Sequence, residues 1–438
     1  MTGDRLPIVL VVLDGLGDRP LVELGGATPA EAAATPVLDA LARRGASGIH
    51  LPFGWGRATT SEWAHWSLLG CEGLPFPGRA VLEALGAGLE VPMGRPVAHA
   101  ALRSAVEREG RLWMTGRAGP ADADDAAALI ASLAPATLDG ITVGLEPLTA
   151  GEAVLTLAGA GSAEVTDTDP LFPDLHPWMR PLPLADAADP AEARRTAAAL
   201  ETYLRGCRAR LADHPVNAGR RRRGRSALDL LTTKWAGVRR PLPSFEERTG
   251  LRGASVASTT LYAGIARLLG MALERVPHRA DPTEDMAARI DAARWRIAAG
   301  DTLVHVHTKA TDEAGHSKLP RAKLEVLEAI DPGLEGLLDL CATAVVAVTG
   351  DHATPSSGGL LHSGDPTPLV VAGPTVRADA VTRFGEAHAA AGAYGRLHAA
   401  DLLPLLAGHA GRPALLGHRP APWTGAALPD HPEPMPPP

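Results

Sequence analysis

The stretch IVLVVLDG, residues 8–15, decides the fold class of this chain. Its apolar run consists of branched residues, the pattern of a strand that is buried on both faces of a parallel sheet. Two similar runs come late in the chain, TLVHVHT at 302–308 and AVVAVTG at 344–350, and PLVVAG follows at 368–373. Since both ends of the chain carry such strands, the sequence predicts an α/β domain built from both ends.

The text between these ends has a different character. It mixes short strand-like pieces with Ala-rich helices, which predicts a smaller α+β domain inserted into the first. The expected organisation is a discontinuous metal-binding domain over 1–75 and 291–420, an inserted substrate or lid domain over 76–290, and a proline-rich tail over 421–438.

Composition narrows the class of partner. The chain has 438 residues and a formal net charge of -8, which argues against nucleic-acid binding. Its three cysteines, Cys71, Cys207 and Cys341, form no CxxC pair, which is typical of a reducing compartment. The apolar run near the N-terminus is too short to cross a membrane. We therefore expect a cytoplasmic protein with no membrane partner; the sequence indicates no oligomeric state.

Carboxylates and imidazoles follow the predicted strands, where ligands collect in open α/β sheets. They are Asp14, Asp312, His316, Asp351, His352 and, ten residues after that, His362. Oxygen and nitrogen ligands of this kind suit Mn²⁺ or Zn²⁺, and Mg²⁺ less well. Because six ligands exceed what one catalytic ion with an open position needs, the pattern predicts two divalent ions.

The segment TKATDEAGHSK, residues 308–318, illustrates why the grouping matters. Asp312 and His316 are four residues apart, so both lie on one helix face and could grip one ion. Alone, an Asp near a helix N-terminus is equally well explained by the helix dipole. The other groups at the strand ends favour the metal site.

A nucleophile completes the chemistry that a two-metal site commonly serves, which is phosphoryl transfer. The segment GRATTSEWAHWSLLG, residues 56–70, offers Thr59, Thr60 and Ser61 before a predicted helix, where free N–H groups favour an anion. A metal-bound hydroxyl there would be activated by a lowered pKa, although any of the three could instead cap the helix. Composition does not choose among them.

Several motifs, in this order, resemble those of the archaeal-type cofactor-independent phosphoglycerate mutase family, within the alkaline phosphatase superfamily. The matching text is VLDGLGDRP at 12–20, SEWAHWSLLG at 61–70, EALGAGLEV at 83–91, VTDTDP at 165–170, HPVN at 214–217, LPSFEERTGLRG at 242–253, DEAGH at 312–316, and GDHATP with HSGDP within 350–366.

The resemblance implies a fold and a site. The fold is an alkaline-phosphatase-like parallel-sheet sandwich with the smaller α+β domain inserted. One metal ion would be held by Asp14, Ser61, Asp351 and His352, and the other by Asp312, His316 and His362. The family pattern S-x-x-A-H selects Ser61 as the nucleophile that becomes phosphoserine. Lys309 is similar to a family lysine that steadies the nucleophile or the phosphate.

The inserted region departs from the family pattern. Arginine-bearing stretches of the A-F-R-C-N, D-R-R-A-G-R and L-R-G-E-G types are matched to AHAAL at 98–102, TGRAGP at 115–120 and LAGAG at 157–161. In this matching Arg117 survives as a substrate-binding residue. Residues without a cationic or comparable polar group stand at Ala100, Leu102, Gly116, Pro120 and Ala158. Since alanine cannot replace a bidentate arginine, we expect a substrate other than 3-phosphoglycerate.

Tryptophans beside the nucleophile add a second departure. Trp66 is interpreted as core filling, whereas Trp63 is a candidate to stack on a flat or apolar part of the substrate. The overall prediction is a two-metal enzyme that acts through phospho-Ser61 on a small phosphorylated metabolite. The first alternative is a true 2,3-bisphosphoglycerate-independent phosphoglycerate mutase whose arginines come from elsewhere, for instance Arg57, Arg79, Arg103 or Arg225. The others are a kinase-like phosphotransferase and a non-catalytic binding protein.

Overall fold

The computed structural model describes residues 5–149, 151–170, 176–413 and 434–437. Most of the predicted tail over 421–438 lies outside the described residues. The strands are β1 (Ile8–Leu13), β2 (Ala46–Leu51), β3 (Pro96–Arg108), β4 (Arg111–Arg117), β5 (Ala136–Leu138), β6 (Ile141–Pro147), β7 (Glu152–Ala158), β8 (His176–Pro177), β9 (Leu230–Val238), β10 (Gly253–Ala257), β11 (Ala272–Arg275), β12 (Leu303–Thr308), β13 (Val345–Thr349), β14 (Thr367–Ala372) and β15 (Gly395–His398).

Helices alternate with these strands in both parts of the chain. They are α1 (Pro29–Ala32), α2 (Pro36–Arg44), α3 (Ser61–Leu68), α4 (Arg79–Ala87), α5 (Ala123–Ala131), α6 (Pro190–Ala212), α7 (Pro215–Arg222), α8 (Phe245–Thr249), α9 (Thr260–Leu268), α10 (Pro282–Ala298), α11 (Ala310–His316), α12 (Pro320–Ile330), α13 (Gly336–Leu340), α14 (Glu386–Ala389) and α15 (Ala399–His409). No helix within the described residues combines the length and apolar character needed to cross a membrane.

The chain divides into two compact units, of which the first comprises residues 1–74 and 242–438. Its eight strands form one sheet in the order β11-β10-β12-β1-β13-β14-β2-β15. The central strands β12, β1 and β13 are parallel, while β14 is antiparallel to both of its neighbours. The predicted α/β fold class is therefore confirmed, and strands from both ends of the chain contribute to this sheet.

Strand alternation gives the two faces of this sheet different characters. Val9 and Val11 of β1 and Val304 and Val306 of β12 point into one apolar core, which α2, α10 and α12 also line. The residues between them along the strands face the other side of the sheet. That other face carries buried polar groups, described below, next to the carboxyl ends of the strands.

The second unit comprises residues 75–241 and is built around an antiparallel sheet. Six strands follow the order β5-β6-β7-β3-β4-β8, and β9 pairs with the long central strand β3. Ala98, Ala100 and Leu102 of β3 face an apolar core that also contains residues of α5 and α6.

The boundary at residue 241 differs from the expected boundary at 290. Residues 242–290 contain β10, which pairs in parallel with β12 and β11 and so belongs to the first sheet. Its sequence, GASVA, is short and rich in small residues, so its pattern did not distinguish a central strand from a strand of the insertion.

Candidate active site

Three neighbouring parallel strands deliver polar residues to one edge of the first sheet. Asp14 directly follows β1, and Leu13 is in register with Thr308 of β12. On the other side of β1, Val12 is in register with Thr349 of β13, and Asp351 follows two residues later. The carboxyl ends of these strands therefore bring together residues that are about three hundred positions apart in the sequence, as the general rule for open α/β sheets predicts.

The first cluster consists of Asp14, Asp351 and His352, each with one candidate ligand atom within 4.8 Å of the others. His352 Nε2 lies 3.3 Å from Asp14 Oδ1 and 3.4 Å from Asp351 Oδ2. The side chains are almost completely buried, and Asp351 Oδ2 has no hydrogen-bond partner among the described residues. A buried carboxylate oxygen without a partner is costly, so this arrangement fits a cation.

The second cluster consists of Asp312, His316 and His362. The four-residue spacing on α11 places His316 Nε2 3.2 Å from Asp312 Oδ1, and His362 Nε2 lies 3.6 Å from the same oxygen. His362 Nδ1 is 2.7 Å from the carbonyl oxygen of Thr59, to which it donates. This hydrogen bond leaves Nε2 as the acceptor that faces Asp312, as in many metal-ligating histidines.

Ser61 lies at the first position of α3 and is the hydroxyl that reaches the first cluster. Its Oγ is 3.0 Å from His352 Nε2 and 3.4 Å from Asp14 Oδ1. The Thr59 hydroxyl instead donates to the carbonyl oxygen of Thr60, and the buried Thr60 Oγ1 has no hydrogen-bond partner within the described part of the chain. Of the three hydroxyls that the sequence left open, the geometry thus favours Ser61.

Lys309 lies between the two clusters. Its Nζ is 3.0 Å from Asp14 Oδ2, 2.6 Å from Asp312 Oδ2 and 3.4 Å from Ser61 Oγ. Burial opposes its charge, but the carboxylates of Asp14 and Asp312 outweigh burial and raise its pKa. The ammonium therefore stays protonated and supplies a fixed positive charge beside the nucleophile.

The two buried carboxyl groups of the first cluster, Asp14 and Asp351, have pKa values shifted in opposite directions. Burial opposes ionisation of Asp14, yet Lys309, His307 and His352 hold its pKa well below its ordinary value. For Asp351, burial and the neighbouring charge of Asp14 raise the pKa well above its ordinary value. Since one member of this buried pair ionises at the expense of the other, a divalent cation at the cluster fits the donor set.

Comparison with known proteins decides the family. A family model described as the metalloenzyme superfamily matches residues 6–407. Proteins named "2,3-bisphosphoglycerate-independent phosphoglycerate mutase" match over nearly all of the chain. The one from Methanopyrus kandleri is 36% identical, with 93% of this chain and 97% of that protein covered. The one from Pyrococcus furiosus is 34% identical, with 91% and 96% covered. The chain belongs to the cofactor-independent phosphoglycerate mutase family.

Solved structures agree with this family assignment. The cofactor-independent phosphoglycerate mutase of Thermoplasma acidophilum has a TM-score of 0.63 at 30% identity, covering 93% of this chain and all of that one. The PH0037 protein from Pyrococcus horikoshii has a TM-score of 0.77 at 28% identity, with 94% and 99% covered. The predicted resemblance and the alkaline-phosphatase-like fold class are confirmed. The protein is a metal-dependent enzyme of the phosphomutase and phosphatase class.

The two predicted substrate-binding residues lie in different units. Trp63 on α3 is 43% exposed and contacts Phe53 edge to face, with ring centroids 6.4 Å apart. Both rings line a cavity of about 690 Å³ in the first unit, which His362 also lines. Arg117, at the end of β4, is an exposed residue of the second unit. Trp66 is buried, in agreement with its interpretation as core filling.

The structure corrects the matching of one arginine stretch of this mutase family. Ala100 and Leu102 point into the apolar core of the second unit, where a cationic substrate-binding group would be unfavourable. Arg103 lies on the opposite face of β3, because side chains alternate along a strand. The segment ALRSA at 101–105 also fits the A-F-R-C-N pattern better than AHAAL does, since its arginine falls at the arginine position.

The second unit contains a group of three cations, Arg79, Arg103 and Lys234, of which sequence reasoning missed Lys234. Arg103 donates to Asp169 at 2.6 Å and 2.8 Å, and burial together with both arginines lowers the pKa of Lys234. Arg79 and Lys234 both stack on the ring of Trp235, at 4.0 Å and 4.1 Å from its centroid.

The backbone at Trp235, the ring that Arg79 and Lys234 contact, is also unusual. Trp235 has a φ of 57°, a left-handed conformation that non-glycine residues rarely adopt and that concentrates at functional sites. No sequence pattern signals this conformation. Lys234, the cation next to Trp235 in sequence, is nevertheless visible as a charged residue.

Sequence reasoning also missed two buried residues that contact Asp14. The Tyr262 hydroxyl donates to Asp14 Oδ2 at 2.5 Å, and His307 Nε2 lies 2.9 Å from the same oxygen. Burial lowers the pKa of His307 to about 4 and raises that of Tyr262, so both are neutral donors at neutral pH. The available signal was TLVHVHT, which places His305 and His307 on one face of a buried strand.

Proposed function

We propose that this enzyme interconverts phosphoglycerates through a phosphoserine at Ser61. The observation that carries the proposal is the position of Ser61 Oγ. It lies within 3.4 Å of Asp14, His352 and Lys309, at the start of a helix whose free N–H groups favour an anion. A phosphoryl group on this oxygen would therefore be surrounded by an ammonium, a helix N-terminus and the ligands of the proposed metal ions.

Two divalent ions are part of the proposal, with Mn²⁺ or Zn²⁺ favoured over Mg²⁺ by the mixture of imidazole and carboxylate ligands. Asp14, Asp351, His352 and Ser61 would hold one, and the second cluster of Asp312, His316 and His362 would hold the other. When bound, the ions offset charge on the phosphoryl oxygens and lower the pKa of a coordinated hydroxyl.

The residues themselves define the first transfer. Ser61 Oγ attacks the phosphorus of the ester, so that the Oγ–P bond forms as the bond from phosphorus to the substrate oxygen breaks. Over the whole step the Ser61 proton replaces the phosphoryl group on that substrate oxygen. Lys309 remains protonated throughout and stabilises the charge that develops on the phosphoryl oxygens, which is electrostatic catalysis by a preorganised group.

The second transfer distinguishes a mutase from a phosphatase. In a mutase, a different hydroxyl of the same glycerate attacks phospho-Ser61, and the phosphoryl group returns to the substrate at its new position. In a phosphatase, water attacks instead and inorganic phosphate leaves. The reaction is therefore a mutase reaction if the glycerate stays beside the phosphoserine, and a phosphatase reaction if water replaces the glycerate.

Phosphoglycerate is the proposed substrate because the relatives at 32–36% identity are named phosphoglycerate mutases. The comparisons thus favour the alternative over the expectation of a different substrate. The expectation of a different substrate rested partly on a match at Ala100 and Leu102 that β3 turns toward the core.

A second candidate is a substrate with a flat or apolar group. The observation that favours it is the cavity beside His362, whose wall includes the exposed ring of Trp63 and the ring of Phe53. Aromatic walls of this kind suit an aryl or nucleoside phosphate. The chemistry at Ser61 would be the same, and the phosphoryl group would pass to another hydroxyl or to water.

A substrate panel tests both candidates. Protein loaded with Mn²⁺ is incubated with 3-phosphoglycerate, with nucleoside monophosphates or with an aryl phosphate, and both isomerised product and free phosphate are followed by phosphorus NMR. The proposed function predicts formation of 2-phosphoglycerate, with loss of activity in Ser61→Ala. Ser67→Ala, a matched change on the same helix, should retain activity. Turnover confined to nucleoside or aryl phosphates would favour the second candidate.

A further inference from the structure

A buried polar group lies on the face of the first sheet opposite its apolar core, beneath Asp14. It consists of Tyr262 from α9, His65 from α3, and His305 and His307 from β12, all at most 2% exposed. Polar groups are rarely buried at this density without a specific role. The chemistry at Ser61 described above does not use any of these four side chains.

Two of the four side chains, Tyr262 and His307, contact Asp14. Both contact the same carboxylate oxygen, so the two oxygens of Asp14 have different surroundings. Oδ2 is 2.5 Å from the Tyr262 hydroxyl, 2.9 Å from His307 Nε2 and 3.0 Å from Lys309 Nζ. Oδ1 faces the other way, 3.4 Å from Ser61 Oγ and 3.3 Å from His352 Nε2. One oxygen is therefore occupied by donors of the protein, and the other is directed at the nucleophile.

The two donors also support one another. The rings of Tyr262 and His307 stack with their centroids 3.5 Å apart, and both rings contact His65. His65 Nδ1 lies 2.9 Å from the carbonyl oxygen of Ser61, to which it donates. The same packed group thus contacts both the carboxylate and the backbone of the nucleophile.

We propose that Tyr262 and His307 are positioning residues that hold Oδ2 of Asp14, so that Asp14 presents Oδ1 alone to the ion beside Ser61. This inference rests on the proposed metal centre and adds the residues that fix its geometry. Outer hydrogen bonds of this kind orient a ligand, and their loss typically weakens metal binding about tenfold to a hundredfold.

His305 provides a matched control within the same group. Its ring is 5.1 Å from that of His65, and its Nδ1 pairs with Ser255 Oγ at 3.1 Å. Unlike His307, it makes no hydrogen bond to a carboxylate among the described residues. A substitution at His305 therefore disturbs the buried group without touching Asp14.

The experiment is calorimetric titration of metal-stripped protein with MnCl₂, which gives the number of ions and the affinity of each. Tyr262→Phe removes the hydroxyl, His307→Leu removes the imidazole donor, and His307→Gln keeps an N–H near the position of Nε2. We expect one of the two ions to bind about tenfold to a hundredfold more weakly in Tyr262→Phe and His307→Leu. The other ion should be unaffected, His307→Gln should recover most of the affinity, and His305→Gln should match the wild type.

Thermal unfolding of each metal-stripped protein checks that the variant is folded. A lower affinity for Mn²⁺ can then be attributed to the lost hydrogen bond and not to unfolding. Wild-type affinity in both Tyr262→Phe and His307→Leu would overturn the inference, as would an equal loss in His305→Gln. A wild-type protein that binds no Mn²⁺ would instead contradict the proposed metal centre itself, which keeps the two failures distinct.

Discussion

Lys309 Nζ lies 2.6 Å from Asp312 Oδ2, and the same ammonium donates to Asp14 at 3.0 Å. One cation thus joins a carboxylate of each candidate metal cluster and stands 3.4 Å from the nucleophile Ser61. Lysine at this place can stabilise transferred phosphoryl oxygens without acting as a proton donor, because the carboxylates raise its pKa.

Lys309→Met should lower kcat by about a hundredfold to a thousandfold, the usual cost of removing one preorganised electrostatic contact. Lys309→Arg, which keeps the charge, should recover part of this loss. Steady-state kinetics with metal content measured in parallel checks the prediction. A kcat close to that of the wild type in Lys309→Met, at equal metal content, would rule out this role.

Asp312→Asn and Asp351→Asn should each remove one of the two proposed ions, because each residue belongs to a different cluster. Elemental analysis after dialysis against excess Mn²⁺ should then find one ion per chain in each variant and two in the wild type. Glu313→Gln, an exposed change beside Asp312 on α11, should retain both ions. Loss of both ions in either single variant, or of neither, would contradict the assignment to two separate clusters.

The two clusters of candidate ligands were predictable because the positions of their members follow from local rules. Asp14, Asp312 and Asp351 each come within four residues of the end of an apolar strand, and Asp312 is four residues before His316 on a helix. The residues that contact these ligands were harder to predict from the sequence. Tyr262 and Asp14 are 248 positions apart, and their hydrogen bond depends on how α9 packs against β10, β11 and α3, which no short pattern encodes.

Two further differences have physical causes of the same kind. The strand β10 was assigned to the insertion because its five residues carry little of the bulk that marks a buried strand. The arginine stretch was matched without knowing which residues of β3 face the core. Side chains alternate along a strand, so a match that is shifted by an odd number of residues assigns every side chain to the wrong face.

Trp63→Ala tests the second candidate function. If the cavity beside His362 binds a flat substrate group, this change should raise KM for an aryl or nucleoside phosphate by up to about tenfold, the usual scale of an aromatic contact. KM for a small alkyl phosphate should change little. Trp295→Ala, at another exposed tryptophan, serves as the control. Equal effects of Trp63→Ala on both esters would remove the support for stacking.

Stability should depend on pH through Glu386, whose carboxylate accepts from the Thr28 hydroxyl at 2.5 Å. Burial raises the pKa of Glu386 from its ordinary value of 4.5 to about 7. The folded state therefore binds this proton more tightly than the unfolded state. Its contribution to stability is complete below pH 4.5 and is lost as the pH rises through 7.

The size of this loss is at most about 3 kcal/mol in the free energy of unfolding. Denaturant unfolding at several pH values should show that Glu386→Gln flattens the decline between pH 4.5 and 7. Glu325→Gln, on the exposed face of α12, should leave the wild-type slope unchanged. The same slope in Glu386→Gln and the wild type would assign the decline to other groups.

Peptide mapping of rapidly quenched enzyme tests the central claim most directly, that Ser61 carries the phosphoryl group during turnover. Manganese-loaded protein is mixed with 3-phosphoglycerate, quenched in acid and digested, and the peptides are analysed by mass spectrometry. We predict one added phosphoryl group on the peptide that contains Ser61, absent in Ser61→Ala and in metal-stripped protein. Full isomerase activity in Ser61→Ala, or turnover with the phosphoryl group on another residue, would contradict the account.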